Sequence, residues 1–462
     1  MKITVFQSDK GDCLLLAGEG GQGRILIDGG MRDSYSKFVA PHLGELAEQG
    51  VPLDLVYVSH IDQDHIAGVL QLMDDHVEWR VHDFQLSEGN DSHPEPDSPR
   101  PPEVKEIWHN SFHEMLKDNK GKITDLLAAS SAGGPVSDTA AATQISELLA
   151  ASAKSLLGTS HADLLEAAVE QQEIAASIPE AIQLSRRVSA EQLGIPLNKR
   201  FKEKLAFVRE ASPPPKPIRI GSLRLSVIGP FEADLAVLRK KWNEWLRANK
   251  ERLEKMRKQA QRDAERLGTS DIRKLLEVQI AEAERLGDRA KVTPPNLASL
   301  MLLVEEGKKT LLLTGDGHAG DILKGLEFHE KTDGQGRMHV DALKMQHHGS
   351  EHNIDEEFVK RVTADHYIFC GNGKHENPDL RVVALILDSR LAGVPFAATH
   401  PKAAGGFRFW FNSSDSATEN SAAKEHMKEL QKQLSDRKKQ SDGRFSFELL
   451  KGDTPSFDLS IA

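Results

Sequence analysis

The sequence predicts a layered α/β fold carrying long helical insertions, and three observations lead there. Short apolar runs punctuated by Gly fill the first 110 residues and return after residue 215. A stretch of helical period, PHLGELAEQG (41–50), separates two of these runs. The densest ionisable stretch, SHIDQDHIAG (59–68), follows directly on the apolar run DLVYV (54–58). Strand, helix, strand, with chemistry at a strand's end, is the logic of stacked sheets and helices.

Taken in order, KITVFQ (2–7), CLLLAG (13–18) and RILIDGG (24–30) read as strands. GEGGQG (18–23) lies between two of them and lacks the Gly-Lys-Ser/Thr ending of a phosphate loop, so it reads as a hairpin turn. HPEPDSPRPPE (93–103) is expected as an exposed loop at the rim of the site, and Trp108 as core. The first half of the core thus spans 1–109. Residues 110–215 are Ala-, Ser- and Glu-rich with helical spacing and close in ASPPPKP, which predicts a helical insertion. IRIGSLRLSVIGP supplies a core strand in 216–230.

A charged helical hairpin is expected over 231–292, with Leu235, Leu238, Trp242 and Trp245 as its apolar stripe and LGTSD (267–271) as its turn. The second half of the core, 293–462, opens with two paired strands in LASLMLLVEEG and KKTLLLTGDG. LKMQHHGS, HYIFCGNGKH and FAATH follow as further strand-like pieces.

Composition narrows the function classes. A formal net charge of −11, with 28% charged and 39% hydrophobic residues, fits a soluble protein. It argues against a surface coated with non-specific nucleic-acid contacts, while leaving room for a local basic groove. Cys13 and Cys370 match no metal-binding spacing, so a reducing cytosol is the expected compartment. No signal peptide or membrane-spanning run is read in the chain, and no membrane partner is expected.

His60, Asp62, Asp64 and His65 stand within six positions. Imidazole nitrogens and carboxylate oxygens are ligands that zinc, manganese or iron accept, and a sharp turn after a strand can aim several of them into one cleft. Four such residues can hold parts of two ions, each needing further ligands. Asp316 in LLLTGDG, His347 and His348 in LKMQHHGS, and His109 in EIWHNSF stand where such ligands are expected.

Together GDCLLLAG, RILIDGG, SHIDQDHIAG, TLLLTGDG, LKMQHHGS and GNGKHENP resemble the metallo-β-lactamase superfamily. Their order and wording are most similar to the soluble metallo-hydrolase domain of the DNA-uptake protein ComEC. The resemblance implies a metallo-β-lactamase αββα sandwich with helical insertions. It implies that His60, Asp62 and His109 hold one divalent ion, with His82 or His113 as alternatives to His109. Asp64, His65 and His347 would hold a second ion and Asp316 would bridge the two, with His348 as the alternative to His347. Zn²⁺ or Mn²⁺ is the expected pair.

Two cations about 3.5–4 Å apart supply a bridging hydroxide for attack on phosphorus or carbonyl carbon. Asp64, His348 and His375 are then the candidate catalytic residues, and Ser350, Asn372 and Lys374 the candidate substrate contacts. The leading expectation is a metal-dependent phosphodiesterase acting on nucleic acid or another phosphodiester. Alternatives are a small-molecule hydrolase on the same fold, cleaving a lactone, thioester or phosphocholine ester, or a partner-dependent subunit docked through its helical insertions. Asp62, where better-known versions of the motif carry histidine, predicts a harder site that favours Mn²⁺ more than an all-histidine one would.

Overall fold

The computed structural model describes residues 1–110, 184, 187, 188, 192–202, 204–236, 298–392 and 401–461. Among these, two sheets carry the architecture. The first contains β1 (Lys2–Phe6), β2 (Leu14–Ala17), β3 (Ile25–Ile27), β4 (Leu55–Tyr57), β5 (Ile107–Trp108) and β14 (Ser456–Ser460), in the order β14-β1-β2-β3-β4-β5. The second contains β6 (Ile218–Ile220), β7 (Leu223–Gly229), β8 (Met301–Glu306) and β9 (Lys309–Leu313). It continues with β10 (Met338–Lys344), β11 (Val362–Phe369), β12 (Phe407–Phe411) and β13 (Phe445–Leu449), in the order β13 through β6.

Most pairings follow connection length: short links leave β1–β2–β3, β6–β7 and β8–β9 antiparallel, whereas helical crossovers make β3–β4 and β10–β11 parallel. The β7–β8 pair is antiparallel although residues 230–300 separate its strands. Side chains alternate faces along a strand, and the cores record it. Phe6, Leu15, Leu26 and Val56 of the first sheet pack with Val39, Leu43, Ile66 and Met73 of α2 (Ala40–Glu48), α3 (Gln63–Ser87) and the segment before them. Their neighbours Val5, Leu14, Ile25 and Leu55 turn the other way. They meet Leu225, Leu302, Leu311 and Ala342 of the second sheet. The outer face of that sheet (Leu303, Leu312, Leu343, Phe409) packs on α4 (Ala319–Phe328), α5 (Glu356–Arg361), α6 (Leu380–Leu391) and α7 (Ser421–Lys439). No described helix is long and apolar enough to cross a membrane.

The expected strands form where the apolar runs placed them, with three differences. The last strand, β14, pairs with β1 (Lys2 opposite Ser460), so residues 293–462 do not all serve the second sheet. Unpaired, β1 would be an open sheet edge. The described part of 110–215 from residue 192 onward contains no α-helix. It runs irregularly against the core, bridging Leu197 to Ile107 and Val208 to Phe231, in a stretch whose prolines cannot supply helical N–H groups. HPEPDSPRPPE lies far from the rim: Trp79 Nε1 donates to Ser98 O, and Arg100 pairs with Asp83 near the C-terminal end of α3. The remaining body of both helical insertions, His113, and FAATH fall outside the described residues.

Candidate metal centre

Three turns at the C-terminal ends of β4, β9 and β10 meet where the sheets are tied together. Leu300 N donates to Ser59 O at 2.8 Å, and the Tyr57 hydroxyl donates to Leu300 O. The first turn enters α3. Asp62 occupies its N-cap with extended backbone, the position where an aspartate normally accepts a helix N–H. Its side chain makes no such bond; Oδ2 lies 3.5 Å from His60 Nε2 instead. A carboxylate withheld from capping is free for another partner. Asp64 and His65 follow on the first helical turn. The approach from β1 is equally close: a Cβ on Gly11 would meet Asp64 O at 1.9 Å, so only glycine lets the β1–β2 turn pass.

The second turn presents Asp316, whose N–H is accepted by Ser299 Oγ and whose carbonyl accepts from Asn353 Nδ2. The third places His347 and His348 on consecutive left-handed residues, φ 45° and 56°. As a result, four imidazoles direct Nε2 at the Asp316 carboxylate: His65 at 3.4 Å, His60 at 3.6 Å, His348 at 3.7 Å and His347 at 3.8 Å. His348 Nε2 also lies 3.1 Å from Asp64 Oδ2.

The opposite ring nitrogens of His60, His65 and His347 are hydrogen-bonded, which sets those ring orientations. His60 Nδ1 meets Ser59 Oγ at 3.0 Å, His65 Nδ1 meets Asp28 Oδ2 at 3.0 Å, and His347 Nδ1 meets Asn353 Oδ1 at 2.7 Å. His348 Nδ1 lies 3.2 Å from Asp12 Oδ1. Asp28 is itself held by the Ser59 N–H and hydroxyl.

His109 ends β5, clamped by Asn198, which accepts its N–H and donates to its carbonyl. Both ring nitrogens are buried without a hydrogen-bond partner. Burial, helped by His60, pushes the imidazole down to about 4, so it is neutral with a lone pair to offer. His82 lies about 25 Å further along α3 than His65, judged from helical rise. It bonds Pro94 O there and stays out of the centre.

The electrostatics of the cluster suit a cation. Burial disfavours charge on His65, but Asp316, Asp12, Asp28 and Asp64 outweigh it and push the imidazole well above its ordinary value. Burial also opposes charge on His348, yet Asp316, Asp12 and Asp64 push it up to about 9. Asp64 and Asp316 fall well below the usual carboxylate range despite burial, through His65 and His348. A divalent ion would offset the same buried carboxylates. The fit to such an ion rests on orphaned atoms: His60 Nε2, His65 Nε2, Asp62 Oδ1 and Asp316 Oδ1 are buried with no hydrogen-bond partner. The ligand atoms of His60, His65 and Asp316 all lie within 4.8 Å of one another, as do those of Asp12, His65 and His348.

The expected substrate contacts lie on neighbouring loops and make turn-type hydrogen bonds. Ser350 Oγ accepts from His352 N, and Asn372 bonds Asp9 and accepts from Lys374 N. His375 is exposed, with left-handed φ of 55°. The sequence reading overlooked Asp12, Asp28, Asn198, Lys344 and Asn353. Asp28 and Asp12 carried the same signal that singled out Asp316, an aspartate beside glycine at a strand end. Lys344, inside an apolar run, carried none.

No curated protein matches this chain. Residues 9–128 match the family model of the metallo-beta-lactamase superfamily. That segment holds the Ser59–His65 turn and, with Asp12 and Asp28, the first half of the centre, and it is a metallo-β-lactamase superfamily domain.

Proposed function

We propose that the protein is a dinuclear metal-dependent phosphodiesterase, acting on nucleic acid, built as an αββα sandwich of the ComEC-like kind. The observation that carries the metal reading is the convergence of four buried or half-buried imidazoles and Asp64 on the Asp316 carboxylate, with orphaned Nε2 and Oδ atoms facing inward. His60, Asp62 and His109 are proposed to hold one ion, and Asp64, His65 and His347 the other, with Asp316 between them. Zn²⁺ or Mn²⁺, when bound, supplies Lewis acidity and an acidified water.

The chain's own residues do the rest. Asp64 lies within 3.1 Å of His348 Nε2, so the two can pass a proton between the attacking side and the leaving oxygen. Asp28 and Asn353 keep His65 and His347 aimed at the centre. The loop carrying Asn372, Lys374 and His375 runs beside His348, since a Cβ on Gly371 would lie 3.4 Å from His348 Cβ. Together with Lys10, whose charge acts on Asp64, and Ser350, it is proposed to receive the phosphate. These basic groups favour a phosphodiester over a neutral lactone or thioester.

Purified protein assayed with Zn²⁺ or Mn²⁺ on single- and double-stranded DNA, RNA and a bis-nitrophenyl phosphate ester tests this reading. Cleavage of nucleic acid is expected. Cleavage of the bis-ester alone, with either metal, would replace the nuclease reading by a small-molecule one.

A further inference from the structure

Beneath the centre lies a charge that the metal reading does not use. Lys344 is the last residue of β10, and its side chain is 2% exposed. Its ammonium pairs with Asp12 Oδ2, itself 2% exposed, and also donates to Gly315 O at 3.3 Å. The same Asp12 oxygen lies 3.7 Å from His65 Nδ1, and Asp12 Oδ1 lies 3.2 Å from His348 Nδ1. Asp12, His65 and His348 form one of the two groups among the described residues whose atoms are close enough to hold a metal ion, and Lys344 is paired with its carboxylate. Lys344 Nζ is also 3.7 Å from Asp316 Oδ1, the carboxylate on which the imidazoles converge.

We propose that Lys344 is a built-in cation of this centre: its ammonium takes the place of an ion at the Asp12 carboxylate of the Asp12, His65 and His348 group, with Asp12 as its nearer partner and Asp316, at 3.7 Å, as its second. This rests on the metal-binding part of the function proposed above. Its consequence is a division of labour. The Asp12 group is neutralised from within, so imported ions are left to the His60, His65 and Asp316 side. Asp12, pinned by Lys344, becomes a positioning residue that keeps His348 turned with Nε2 toward Asp64. A buried ion pair needs further partners to offset its desolvation: Gly315 O accepts from the ammonium, and two imidazoles flank Asp12 at 3.2 and 3.7 Å.

The two members of the pair should therefore act on metal binding with opposite sign. The experiment is calorimetric titration of chelator-stripped full-length protein with Zn²⁺ and with Mn²⁺, ion content measured in parallel and melting midpoints of the stripped forms as the fold control. In Asp12→Asn the unpaired ammonium is left facing Asp316 and competes with the ion, so affinity falls by at least about tenfold. In Lys344→Met the competitor is gone and Asp12 is released as a ligand, so affinity holds or rises. The Asp12→Asn/Lys344→Met double variant returns to within about threefold of the native value. A pair serving only to brace the fold would lose affinity in both single variants, and that result overturns the proposal, as does an unchanged Asp12→Asn. Should Asp12→Asn fail to fold, Lys344→Met decides alone, with a fall in affinity overturning the proposal. A native chain that takes up no ion sinks the metal reading itself, whereas native uptake with unchanged Asp12→Asn sinks only this inference.

Discussion

His60 and His65 stand on backbone that any residue adopts, a strand end and the first turn of α3. His347 and His348 reach the same Asp316 carboxylate from two successive left-handed residues. Each non-glycine residue in that region costs roughly 1–2 kcal/mol, so the second turn persists only because its surroundings over-determine it. The supports differ in kind as well. His65 is oriented by a buried carboxylate, Asp28, itself bound by Ser59, whereas His347 is oriented by an amide, Asn353, that also binds the Asp316 carbonyl. A regular turn can be written by a local motif. A strained one needs contacts brought from outside it.

The comparison can be broken most directly at the carboxylates that both turns share. Asp316→Ala and Asp64→Ala should each reduce hydrolysis by at least about a thousandfold with the melting midpoint of the loaded fold largely kept. Activity retained in either variant would remove that residue from the centre.

The supports come next. Asp28→Asn should weaken metal affinity by about 10- to 100-fold, because the amide cannot accept from both Ser59 donors and still receive the His65 Nδ1–H. Asn353→Ala should cost about tenfold or less in affinity but lower the melting midpoint, since it frees a strained turn. Equal effects of the two on both readouts would erase the distinction between the turns.

In chelator-treated protein a pH dependence is expected to which His348 contributes beside His65. The His348 imidazole is pushed up to about 9 from an ordinary 6.5 in the folded chain, so the fold binds that proton more tightly than the unfolded chain does. The stabilisation is complete below about pH 6.5 and is lost as pH rises through about 9. Chelator-treated protein should accordingly lose melting temperature across that window, while protein loaded with Zn²⁺ should not, because the ion replaces the proton among the same carboxylates. Parallel melting profiles for the two forms would count against a cation at this centre. The smallest expected effect is on metal preference: Asp62→His should lower the Mn²⁺/Zn²⁺ activity ratio by a few-fold, and an unchanged ratio would show that Asp62 does not tune the site.

Local chemistry carried much of this protein in plain view. Short contiguous apolar runs marked β1 to β4 and β7 to β10, since strands buried on both faces carry apolar side chains in both directions. The turn at 59–65 was legible from local sequence too, four potential ligands within one turn and one helix start. What lay outside local pattern was decided by tertiary structure. The return of β14 to β1 required an edge to be present. His109 lies near His60 because β5 ends there, while α3 carries His82 away. Asp12 and Lys344 look like an ordinary loop acid and an interruption of an apolar run. They acquire meaning only because burial removes water and leaves each as the other's nearest charge. By itself the sequence marked most of the residues that could bind a cation and the strand ends on which they stand, but not Asp12. The tertiary structure decided which of them face one another, because that depends on packing between segments hundreds of residues apart.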